Sequence, residues 1–80
     1  MYFVIEIQKR TDGSWHNTVF QYDDRARAEA KYYYILSEAC VAQIPVNGAV
    51  LLNALTGKEL LSEVFQHGEW DGYVPPEEDQ

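Results

Sequence analysis

Between Gly13 and Pro45 the chain contains neither glycine nor proline, and the second half of that stretch, residues 25–41, is rich in alanine. Such a composition favours a helix. Ala28, Tyr32, Ile35, Leu36 and Ala39 recur at i, i+4, i+7, i+8 and i+11, which makes one continuous apolar stripe. Arg27, Lys31, Ser37 and Glu38 mostly fall off it. Asp23 or Asp24 can accept a backbone N–H at the helix start, and both oppose the helix dipole favourably. Pro45 bars continuation and pushes Ile44 towards an extended shape. One amphipathic helix must bury its stripe against something, and the rest of the chain reads as strands.

Tyr2 to Lys9 alternates, with Phe3, Ile5 and Ile7 on one face and Tyr2, Val4, Glu6 and Gln8 on the other. Thr11-Asp12-Gly13-Ser14 follows, and Asp-Gly between two such runs predicts a hairpin. Trp15 to Tyr22 is the returning strand, with Trp15 and Val19 opposite Phe20 and Tyr22, and its pattern does not say which pair faces inward. Val46 to Ala54 is apolar at Ala49 and Leu51 on one side and at Val50 and Leu52 on the other, so it is expected to be buried on both. Leu55-Thr56-Gly57-Lys58 forms a turn. Glu59 to His67 is the last strand, with Leu60 and Val64 on one face and Leu61 and Phe65 on the other.

The expected fold is therefore α+β: a ββαββ domain over residues 1–68, with a four-stranded, mainly antiparallel sheet and one helix packed on one face. Residues 69–80 read as an acidic, proline-containing tail with a disordered end. Residues 1–67 hold six Lys/Arg and eight Asp/Glu, for −2, and residues 68–80 hold five Asp/Glu and no base, for −5, which together make the net −7. With the acidity concentrated in the tail and no cationic surface, nucleic-acid binding is not expected. No apolar run is long enough for a membrane span. The start MYFVIEIQKR lacks the features of a signal peptide, and Cys40 is the one cysteine. Both point to a reducing cytosol.

Catalytic and metal chemistry find little support. His16 and His67 lie in different strands, and with Cys40 they make no ligand spacing. Cys40 sits at the helix C-terminus, the wrong end to activate a thiol, and is expected to be an inert core or near-core residue. Asp23-Asp24 is explained by capping, and Glu77-Glu78 by a solvated tail. No enzyme, metal or cofactor is expected. Arg25 and Arg27 occupy the first helical turn, where an anion is favoured, and with His16 or Tyr22 they could hold a small anionic ligand. The favoured alternative is pairing with Asp23, Asp24 or Glu29 at the surface. Of three consecutive tyrosines only Tyr32 belongs to the stripe, which leaves Tyr33 and Tyr34 for an interface or for stacking on a ligand. Trp70 and Tyr73 are candidates for docking on a protein partner or on their own domain.

One helix covers one sheet face, and Val4, Val50 and Leu52 put apolar groups on both; these three and the surplus tyrosines would otherwise form one exposed apolar patch. Without disulfide or metal, so small a core is expected to self-associate, with a two-fold dimer favoured. Such a dimer could bring Tyr33, Tyr34 or Arg25 of both copies together around a ligand.

The runs VIEIQKRTDGS, YDDRARAEAKYYYILSEACVAQIPVNGAVLL and LLSEVFQH resemble a family of short, functionally uncharacterised proteins encoded by phages and prophages of Gram-positive gut bacteria. The resemblance covers nearly all of residues 4–67, carries no catalytic motif and transfers no site residue. Together with the small core, two-sided apolar strands, surplus tyrosines and absent catalytic constellations, it leads to the expectation of a non-enzymatic, homo-oligomeric binding protein in the host-cell cytosol, engaging a host protein or sequestering a small signalling ligand in a host-interaction or anti-defence role. The alternative is a virion-associated or assembly accessory protein. Mimicry of nucleic acid ranks last, because only the tail is strongly acidic.

Overall fold

The computed structural model describes residues 1–67; Gly68, Trp70, Tyr73 and the acidic end lie outside the described residues. The elements follow in the order β1 (Tyr2–Lys9), β2 (Trp15–Tyr22), α1 (Arg25–Ala39), β3 (Val46–Asn53) and β4 (Glu59–Gln66). They form one antiparallel sheet in the order β2-β1-β3-β4, with α1 on one side. The ββαββ α+β fold expected from the sequence is the fold observed. Because β2 and β3 both run antiparallel to β1, they run parallel to each other, and α1 is the crossover that joins them over the central strand.

Local chemistry accounts for each turn. Gly13 takes a φ of 87°, and Asp12 Oδ1 accepts from the Ser14 N–H at 2.9 Å and its hydroxyl at 2.6 Å. Those two bonds stabilise the charged carboxylate and hold Asp12 below its usual range. In the second hairpin Gly57 has a φ of 74°, while Asn53 Oδ1 accepts from Leu55 N at 2.9 Å. Asp24 is the helix N-cap, accepting from the Ala26 N–H at 3.1 Å. At the far end, His67 Nε2 lies 3.1 Å from the Ala39 carbonyl, which tethers the helix terminus to the end of β4.

The core lies between helix and sheet. Ala28, Tyr32 and Ile35 meet Val4, Ala49 and Leu51, and Tyr2, Phe20, Tyr22, Leu36, Leu60 and Leu61 close the margin. Phe20 and Tyr22 are thus the inward pair of β2. Register explains the rest: Val4 stands between Phe20 and Leu51, whereas Ile5 stands between Val19 and Val50.

Three expectations are corrected here. Val4 does not share the second face with Val50 and Leu52, because strand alternation places it under the helix, where it is fully buried. β3 is not covered on both sides: Ala49 and Leu51 are buried, while Val50 and Leu52 are half-buried on the far side. Leu60 and Leu61 do not part to opposite faces, because a register shift against Leu51 and Leu52 breaks the alternation and both pack on the core.

Candidate functional site

The side of the sheet away from the helix is apolar, and among the described residues no helix or strand lies across it. Alternation and register place its side chains in rows across the strands. Val19, Ile5, Val50 and Ser62 form one row; Asn17, Ile7, Gly48 and Val64 form the next. Gln21, Phe3 and Leu52 lie on one flank, and Trp15, Lys9 and Val46 on the other. Trp15 and Val19 are each 56% exposed, although aromatic and β-branched residues on a strand normally pack against a neighbour.

Charge is confined to the margins of this face. The Lys9 ammonium lies 5.8 Å from the centre of the Trp15 ring. Glu59 is at the β4 rim, where its carboxylate accepts from the Ser62 hydroxyl. The central rows therefore present no ionised group to a partner. Gly48 stands between Ile7 and Val64 in its row and is itself buried, because β4 packs close against it. A Cβ there would collide with the Glu63 carbonyl and lie 2.6 Å from Val64 Cα, so β3 and β4 approach at this point because the position is glycine.

The residues singled out from the sequence are scattered around the fold. Arg25 Nε pairs with Glu29 at 2.7 Å, and Arg27 reaches Asp24 at 4.0 Å, so both arginines engage neighbouring carboxylates. His16 lies near the start of β2, whereas the arginines follow its end; His16 and Tyr22 are six residue steps apart along the strand, about 20 Å. No common anion site brings His16 and the arginines together. Tyr33 and Tyr34 are 54% and 58% exposed on the helix. Since the helix lies behind the sheet, a dimer formed through the apolar face cannot bring these tyrosines or Arg25 from two copies into one cleft. Cys40 is exposed, not core, with its thiol 3.5 Å from the Ser37 carbonyl. Trp70 and Tyr73 lie outside the described residues. Among the described residues no three His, Cys, Asp or Glu side chains come together as a metal site, and no helix is long and apolar enough to cross a membrane.

Lys31 is more involved than its place off the stripe suggests. Its ammonium sits 4.2 Å from the Phe20 ring centre and 5.3 Å from that of Tyr34, which ties the helix to β2. The residues that sequence reasoning missed are Phe3, Ile5 and Ile7, the central strand's contribution to the open face. A signal was present: a hairpin centred on Asp12 sets Val4 against Phe20 and Ile5 against Val19. No family model, curated protein or solved structure matches the chain.

Proposed function

We propose that this chain is a non-enzymatic binding protein that holds a macromolecular partner on the open face of its sheet. The observation that carries the reading is the run of apolar rows centred on Ile5 and Val50. Monomeric proteins rarely leave a contiguous apolar patch larger than a few hundred Å² in water, and larger patches mark interaction surfaces. A small anionic ligand is the weaker reading, because Arg25 and Arg27 already engage carboxylates and His16 is remote from both. With the resemblance to phage and prophage proteins, the setting that fits is the cytosol of a bacterial host, where the protein engages a host component.

The test uses a photo-crosslinking amino acid placed at Val50 and, as a control, at exposed Glu38 on the helix. Illumination in cells is expected to give discrete protein adducts from position 50 and few from position 38. Absence of adducts from position 50 removes the open face as a recognition surface. Comparing proteins captured from infected cells with those of purified virions separates host engagement from the alternative, an accessory role in the particle.

A further inference from the structure

We infer that the partner on the open face is a second copy of this chain, packed sheet against sheet about a two-fold axis. The inference rests on reading that face as a recognition surface, and it names the partner.

Area is the first argument. Four strands of eight residues span about 26 Å along their length and about 19 Å across. The face therefore measures about 500 Å², and two copies would cover about 1,000 Å² together, the lower bound for a specific interface. A small ligand or short peptide would cover only part of such a face.

Self-complementarity is the second. A two-fold contact presents one patch to itself, so the patch must contain both what projects and what receives. Here the rows through Ile5 and Val50 and through Ile7 and Val64 project, and the grooves between successive rows receive, as in sheet-on-sheet packing. A facing copy can seat its rows in these grooves while offering its own grooves in return.

Charge is the third. A chain with net charge −7 opposes its own approach unless the meeting surfaces are neutral. The central rows carry no ionised group, and Glu6 and Glu63 lie on the helix side of the sheet, as their pairing with Ala49 shows. Like charges are thus kept from the centre of the contact, where they would be most costly.

In this assembly both helices point away from the interface, so Tyr33 and Tyr34 lie on two opposite outer surfaces.

Sedimentation equilibrium of the full chain over about 1 to 200 µM, a range that brackets micromolar affinities, is the test. The expected result is a mass that rises to twice that of the chain. Val50→Lys and Val19→Lys are each expected to weaken association at least tenfold while keeping the native far-ultraviolet circular dichroism. Val19 is an exposed edge position, so its variant decides the matter even if Val50→Lys fails to fold. A wild-type protein that stays monomeric throughout overturns the inference. Adducts from position 50 to other proteins would then leave the surface reading standing with a different partner. A dimer that survives a lysine at both positions also overturns it, since pairing through the edges of β2 or β4 would explain that result. So does a monomer whose face binds an apolar dye only after residues 68–80 are deleted, which would assign the face to that segment.

Discussion

Val4 and Ile5 are consecutive in β1 and lie on opposite sides of the sheet, Val4 sealed beneath the helix between Phe20 and Leu51, and Ile5 on the open face between Val19 and Val50. Truncating the two should therefore have different effects. Val4→Ala opens a cavity in the core and is expected to cost about 2 kcal/mol or more. Ile5→Thr is expected to cost less than about 1 kcal/mol in the dilute monomer, because β-branching is kept and no sealed cavity forms. Denaturant melts at low and high protein concentration check both. The Ile5 variant should lose the concentration dependence that a dimer gives the wild type.

On the helix, Ile35→Ala is expected to cost about 2–5 kcal/mol, enough to unfold a domain of this size. Lys31→Ala should cost about 0.5–1 kcal/mol through its contact with Phe20, a larger effect than its position off the apolar stripe suggests. Lys31→Met keeps most of the stem without the charge, so the melting difference between the two variants separates packing from the cation–ring attraction.

The helix stripe and both turns were legible because their causes are local. Periodicity, an aspartate cap and Asp-Gly or Thr-Gly chemistry lie within a few residues of what they determine. The identity of the open face was not legible in the same way. Whether Val4 or Ile5 points inward depends on how β1 meets β3, and that pairing joins distant parts of the chain. Leu60 was misassigned for a related reason, since its shift arises between strands and not within one. The scatter of His16, Arg25 and Arg27 likewise follows from a strand's length separating groups close in sequence. Cys40 lies one position beyond the last helical residue, where the stripe no longer governs exposure.

Tyr32 gives the fold a sensitivity to alkali. Burial raises its phenol pKa, and the negative charge of Glu63 adds to the effect. Below the unfolded value of 10.0 the phenol is protonated in both states, and its contribution to stability is fully present. As pH rises past that value the unfolded chain ionises first, and stability is lost until the folded phenol ionises too. Tyr32→Phe removes this component, so denaturant midpoints measured from about pH 8 to pH 11 should fall less steeply in the variant. Equal slopes would count against the burial of this hydroxyl.

Gly48→Ala should be disproportionately harmful for a single methyl group. The added carbon meets backbone atoms of β4, which cannot rotate away, so the two strands must separate. A cost of about 1–3 kcal/mol is expected. Amide hydrogen exchange should show the loss concentrated along β3 and β4, while β1 and β2 keep their protection.

The strand order also sets the sequence of events by which the chain reaches its native state. Each hairpin closes between neighbours in sequence, and such closures take microseconds. The seam between β1 and β3 is different, because it joins the first ten residues to residues 46–53 and must wait for the loop-closure entropy to be met. The helix spans that gap and shortens it by forming. Substitutions at Ala28 or Ala49, where helix meets seam, should therefore slow folding, while substitutions in the two turns act chiefly on unfolding. The molecule assembles as two ready-made ribbons, and the late, slow act is stitching them together along their inner edges.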